Sequence, residues 1–323
     1  MAKRGSFSKD PFSLNHRHWF RTALQLQGSV IPSVMPRVIL CGLFGVVITY
    51  FHKTIAPVSL PFLSSLIPNL VLGLLLVFRT NTAYERYWEG RKIWGNVVNS
   101  IRNLSRQIWV SILEKDEQDH AEKVAALRLL SAFAVSLKLH LRQEPVNSEL
   151  SHLLSIQQFE KLQTMNNPPL EIMFWIGDYL QHQYQRDRLQ VYQLTTLQQL
   201  LNNLVDALGA CERILKTPIP LAYAIHLKQL LLLYSLTLPF QMVGELGWWT
   251  GITAAIISFT LFGIEEIGIE IENPFGRDFN DLPLDTICTT MQRNIEDLIT
   301  LSPSVRTYQE PDPTTLQNIH PGS

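Results

Sequence analysis

Apolar residues along this chain are gathered into long runs rather than scattered. Four runs approach the roughly 20 mostly apolar residues that cross a bilayer: Val34–Tyr50, Leu60–Phe78, Leu221–Val243 and Trp248–Ile264. The second run contains no charged residue. That is unusual outside a bilayer, so four transmembrane helices are predicted in preference to four core helices of a soluble α protein. Between the second and third runs, residues 79–219 show no β alternation and are rich in Leu, Gln, Glu, Arg and Ala. Helices are predicted throughout, broken at Glu144–Asn147 and Asn166–Pro169, where prolines meet turn formers. Val191–Ile214 keeps an apolar stripe with a polar back, as a bundle helix does.

The expected fold class is an all-α membrane protein with a large helical cytosolic region. Its parts are an N-terminal segment (1–33), a first transmembrane hairpin (34–78), the helical region (79–219), a second hairpin (220–272), a corner and helix (273–302) and a polar, proline-bearing tail (303–323). Orientation follows from the basic residues. Lys3, Arg4, Lys9, Arg17 and Arg21 crowd the N-terminal segment, which has no apolar leader, and Arg79, Arg86, Arg91, Lys92, Arg102 and Arg106 follow the second run. The hairpin loops hold little charge, chiefly Lys53 and Glu245. The positive-inside rule therefore places both termini and residues 79–219 in the cytoplasm, with Trp248 and Trp249 at the outer aromatic belt.

Composition narrows the function. Of 323 residues only 17% are charged, against about 25% in soluble domains, and the net charge is −1. No basic field is available to hold a nucleic acid. Cys41, Cys211 and Cys288 lie too far apart for a disulfide framework or zinc site. The chain has no HExxH, Walker A, GxGxxG or GxSxG sequence, so no enzyme, metal or cofactor is expected. His226 and Lys228 lie inside the third run, either snorkelling to the inner headgroups or facing an anion pathway.

Two features carry the remaining chemistry. Leu70, Leu74 and Phe78 recur every four residues, so they share one apolar stripe of a helix, a packing seam or a pore wall. After the fourth run comes Asn273-Pro274-Phe275-Gly276-Arg277-Asp278-Phe279-Asn280-Asp281-Leu282-Pro283-Leu284-Asp285. This is either a turn leading into a helix or a cation-binding or gating corner formed by Asp278, Asn280, Asp281 and Asp285.

At these residues the sequence resembles the bestrophin family of pentameric ion channels, in its bacterial and chloroplast branch. The resemblance rests on the run from Phe78-Arg79-Thr80-Asn81 to Trp88-Glu89-Gly90-Arg91, on Ile219-Pro220-Leu221-Ala222-Tyr223, and on the Asn-Pro-Phe-Gly run with its Asn-Asp-Leu-Pro-Leu-Asp continuation. It covers about residues 15–300. It implies a homopentamer in which the second span lines an axial pore, with Leu70, Leu74 and Phe78 as the apolar neck. It also implies a second constriction at the cytosolic mouth, by counting near Tyr192. Animal members carry an unbroken acidic run, a calcium clasp, after the Asn-Pro-Phe-Gly; here Arg277, Phe279 and Leu282 interrupt it. The expected function is passive conduction of small monovalent anions, chloride first, across an inner cell membrane or a photosynthetic membrane. The expected partners are further copies of the chain, small inorganic anions and the lipid bilayer. The rivals are a monovalent cation channel of the same fold and a membrane-anchored scaffold; paired, glycine-broken spans of a secondary transporter are not seen.

Overall fold

The computed structural model describes residues 24–60 and 66–300, with side chains from residue 68 onward in the second stretch. The expected tail, 303–323, and most of the N-terminal segment lie outside the described residues, as do residues 61–65 of the second apolar run. The described chain is helical, and no strand occurs among the described residues. Its longer helices are α1 (Ile31–Thr54), α2 (Leu66–Ser111), α3 (Glu117–Leu141) and, after the short α4 (Ser148–Ser151) and α5 (Ile156–Thr164), α6 (Pro168–Gln185) and α7 (Val191–Lys216). There follow α8 (Leu221–Leu246), a single 3-10 turn at Gly247–Trp249, α9 (Thr250–Glu270) and α10 (Leu284–Thr300).

The chain divides into two compact units. One comprises the described residues of Met1–Lys92 and Glu212–Leu282; the other comprises those of Ile93–Cys211 and Pro283–Ser323. Helices α2 and α7 contribute residues to both.

In the first unit α1, α8, α9 and the start of α2 pack around one apolar cluster. It consists of Val34 and Val38, Leu72 and Leu76, Leu227 and Leu231, and Phe262. Helices α1 and α9 approach closely because three glycines line their crossing. A Cβ on Gly45 would lie 2.8 Å from the Gly251 Cα, and one on Gly251 would lie 2.9 Å from the Gly42 carbonyl oxygen. Small residues at a crossing let backbones meet where no hydrophobic contrast with the surroundings drives association. Thr49, fully buried, donates to the carbonyls of Gly45 (2.8 Å) and Gly247 (3.2 Å), tying the turn between α8 and α9 to α1.

The second unit is organised around α3, which is enclosed by protein along most of its length. Leu127, Leu130, Phe133, Ala134 and Leu137 are fully buried, and α6 and α10 pack against it. Asp116 caps its start by accepting from the Asp119 N–H at 2.8 Å. The second half of α2 contributes Trp94, Val97, Ile101, Leu104 and Ile108, spaced three and four apart on one buried stripe.

Among the described residues, three stretches are long and apolar enough to cross a membrane: Ile31–Thr54, Glu117–Leu141 and the 50-residue Leu221–Glu270. The last holds α8 and α9 as a hairpin. The middle one is α3, whose apolar side chains its own unit covers.

Candidate functional site

Helix α2 is apolar on two faces, and only one of them is covered by its own unit. Leu72, Leu76, Arg79 and Ala83, spaced four, three and four apart, form the buried seam. Leu70, Leu74 and Phe78 lie across the helix, and 68%, 53% and 55% of their surface stays exposed in the single chain. The structure thus brings these three residues onto one uncovered apolar stripe, and the seam that packs α2 within the chain is made by other residues.

Immediately past that stripe, the three sequence motifs converge on Glu272, two residues after α9 ends. Arg79, almost wholly buried, places Nη2 2.6 Å from Glu272 Oε2. The other carboxylate oxygen accepts from the Ile219 N–H at 2.9 Å. Two turns on from Arg79, Arg86 donates from Nε to the Glu272 carbonyl and from Nη1 and Nη2 to the carbonyls of Thr217 and Ile214. Those two carbonyls lie at and just beyond the C-terminal end of α7, where a cation is favoured by unpaired carbonyls and the helix dipole. Burial lowers the Arg86 pKa, with Glu272 opposing the shift. One turn further, Arg213 pairs with Glu89 at 2.6 Å, and Gly90 leaves room for Pro274 and Phe275. A Cβ there would come within 2.9 Å of the Pro274 ring. Tyr223 closes the group by donating its hydroxyl to the Leu75 carbonyl at 2.7 Å. The result is a collar of paired charge, buried at Arg79, that fixes the end of the apolar stripe relative to the end of α7, the start of α8 and the end of α9.

The sequence treats Arg79 and Arg86 as orienting charges and motif letters; their joint attachment to Glu272 could not be read there. The available signal was position: an arginine directly abutting an uncharged apolar run must find a partner or snorkel.

The acidic corner divides between the two units. In the first, the Asp281 carboxylate accepts from the Asp278 N–H at 2.7 Å, and its oxygen crowds Gly276, where a Cβ would lie 2.6 Å away. Asn280 directs its amide nitrogen at Glu270 Oε2 (2.6 Å) and the Gly28 carbonyl (3.3 Å). Phe279, which interrupts the acidic run, stacks its ring edge on Gly28. The backbone there has φ +76°, and a Cβ would strike the ring at 2.4 Å, so glycine is required twice over. In the second unit, Asp285 accepts from Lys138 at 2.7 Å and in two-pronged fashion from Arg142 at 3.0 Å and 3.0 Å. The Arg142 hydrogen bonds, reinforced by Lys138, hold the Asp285 carboxyl down at about 2. Burial opposes the Lys138 charge, but Asp285 and Glu149 outweigh it and its pKa is raised. Next to this pair burial pushes the Cys288 thiol up to about 12, so it is an inert core residue. Among the described residues no group of three or more His, Cys, Asp or Glu is arranged to hold a metal ion. Tyr192 stands in the first turn of α7, 83% exposed.

An apolar stripe that its own unit leaves uncovered runs along α2 and ends where Arg79, buried, and Arg86, half-buried, both meet Glu272. The chain belongs to the bacterial and fungal bestrophin family, whose model matches residues 12–297. A voltage-dependent anion channel-forming protein of Nostoc sp. is 64% identical over 292 residues, 90% of this chain and 95% of that protein. One of the same description from Synechocystis sp. is 57% identical, covering 92% of this chain and 96% of its own length. The crystal structure of a bacterial bestrophin homolog from Klebsiella pneumoniae is 27% identical, with a TM-score of 0.74. It covers 84% of this chain and 100% of that one.

Proposed function

We propose that five copies of this chain form a channel passing small monovalent anions, chloride first, down their gradient. The observation that carries it is the exposed stripe of Leu70, Leu74 and Phe78 opposite the buried seam of α2. One chain has a single such face and cannot enclose a pathway, so copies must meet around it. Fivefold symmetry is taken from the family resemblance, and anion conduction is supported by the channel-forming relatives. The four spans form two hairpins, 34–78 and 220–272, with the termini and residues 79–219 cytoplasmic. In this reading α3 stays out of the lipid, since its apolar surface is already covered.

Conduction needs no reacting group. Three rings of apolar side chains resist wetting and form a closed neck until they separate. Phe78, nearest the collar, can turn its electropositive ring edge toward a passing anion. Tyr192 forms the second constriction. The corner of Asp278, Asn280 and Asp281 shapes a turn, Asp285 anchors α10, and calcium is not required for opening. The supporting contacts are those that occupy three of these side chains: the Asp278 N–H on Asp281, Glu270 on Asn280, and Lys138 with Arg142 on Asp285.

Single-channel recording in planar bilayers tests the reading. Unitary steps whose reversal potential follows the chloride gradient are expected. Reversal at the cation potential would transfer the fold to cation transport, and silence from intact protein would favour a scaffold.

A further inference from the structure

In the first unit a cavity of about 470 Å³ opens between α1, α8 and α9. Arg37, Leu40, Phe44, Lys228, Leu232 and Leu236 are among its walls. The α1 members fall at intervals of three and four and so do those of α8, so each helix gives the cleft one continuous stripe. The charges sit at one end only. Arg37 is six residues into α1, Lys228 seven into α8, and Glu265 five before the end of α9. Beyond them the named walls are leucine and phenylalanine.

Two cations face two carboxylates here, but the direct contacts are unevenly shared. Arg37 lies 3.2 Å from Glu266 and 3.7 Å from Glu265, so one guanidinium holds both carboxylates. Lys228 is exposed and makes no ion pair among the described residues, although Glu265 feels its field. A cation two turns inside an apolar helix, at the mouth of an apolar cleft, is costly unless an anion reaches it. The occupant must therefore carry a negative head and a long apolar tail in one molecule. A bilayer supplies such a molecule, and basic clefts between helices on the cytoplasmic side are suited to anionic headgroups.

We propose that this cleft binds one anionic phospholipid per subunit from the cytoplasmic leaflet. Its phosphate pairs with Lys228 beside Arg37, and one acyl chain lies along Leu40, Phe44, Leu232 and Leu236. The inference rests on the topology proposed above, which puts the charged end of the cleft inside. Leu40 and Leu232 are 67% and 58% exposed, as side chains meant to meet a mobile chain would be. It assigns Lys228 a task other than snorkelling to bulk headgroups or facing the pore.

The full-length protein, reconstituted with phosphatidylglycerol and phosphatidylcholine of distinct mass and re-extracted in mild detergent, is weighed by native mass spectrometry. One retained phosphatidylglycerol per chain is expected, in preference to phosphatidylcholine. Lys228→Gln should weaken retention roughly fivefold, the change expected from one cation near an anionic surface. Leu232→Trp fills the cleft from an exposed position and should remove the lipid. Both variants should keep the wild-type oligomer mass. Equal retention of the two lipids, or retention unchanged in both variants, overturns the proposal. So does a Leu232→Cys side chain that crosslinks to a neighbouring subunit, since a second copy would then fill the cleft. Conduction is recorded separately. A conducting protein without bound phosphatidylglycerol sinks the lipid site alone, whereas bound lipid in a silent protein sinks the channel reading and leaves the site.

Discussion

Helices α1 and α3 are both long and apolar enough to cross a membrane, yet they meet different surroundings. Of the 18 most apolar residues, 22% are buried in α1 and 78% in α3. Helix α1 leaves Ile39, Leu40, Leu43, Val47 and Tyr50 at half exposure or near it. From Leu129 to Leu139 every residue of α3 is buried, Phe133, Leu137 and even Lys138 among them. Hydropathy therefore selects helices that must leave water, and it does not say what will cover them. The difference is written in the charges. Helix α3 carries Lys123 and Lys138 in its interior, each with acidic partners from its own unit, Glu114 for the first and Glu149 with Asp285 for the second. Hydrocarbon could not supply those partners. In α1 the charged residues are Arg37 and Lys53, near its two ends.

Core truncation should break the comparison most visibly. Phe133→Ala removes a fully buried ring from α3 and is expected to cost about 3–5 kcal/mol. Leu43→Ala removes a side chain 58% exposed on α1 and should fall within about 0.5 kcal/mol. Thermal unfolding in detergent compares them; equal losses would mean that α1 is covered within the chain after all.

Next in size is the close crossing of α1 and α9. Gly251→Ala places a methyl 2.7 Å from Val46 Cγ2 and 2.9 Å from the Gly42 carbonyl oxygen, which is backbone and cannot swing away. A loss of about 1–3 kcal/mol is expected. The same unfolding assay checks it, and unchanged stability would show that the helices can part freely.

The charged pair of the α3 unit gives a smaller, pH-dependent effect. Asp285 has a folded pKa of about 2, below its ordinary value of 3.8, so its contribution is complete above about pH 4 and disappears as pH falls through about 2. Lys138 is shifted the other way; its contribution holds below about pH 10.5 and is lost as pH rises through the folded value. Because Asp285 is more than half exposed, Asp285→Asn should cost only about 1–2 kcal/mol at neutral pH. Its stability should also fall less between pH 4 and pH 2 than that of the wild type. Parallel acid profiles for the two proteins would remove Asp285 from the account.

Much of this was legible in the sequence because membrane helices and their breaks are local properties. The α8–α9 hairpin, the helical stretch after Phe78 and the break at Asn166–Pro169 follow from run length, proline and turn residues. Asn167 indeed caps α6, accepting from the Leu170 N–H. The stripe of Leu70, Leu74 and Phe78 was visible as a period, but a period does not distinguish a seam from an open face. The distinction needed Leu72, Leu76 and Arg79, whose burial depends on three other helices. Long-range pairing was illegible for the same reason. Arg79 meets Glu272 across 193 positions, and Asp285 meets Lys138 across 147. Spacing along the chain had grouped Asp285 with Asp278, Asn280 and Asp281, whereas two cations in the second unit claim it.

The neck is the central claim, and one variant tests it directly. Leu70→Ala, Leu74→Ala and Phe78→Ala together shorten three side chains that make no part of the buried cluster of their unit. If they line the axis, the passage widens and wets, and the assembly survives. Single-channel currents from the triple variant, with its mass checked in mild detergent, should show an intact pentamer with larger conductance or open probability. A dissociated or aggregated protein would make the stripe a packing seam between copies, and an intact pentamer with wild-type currents would place the gate elsewhere.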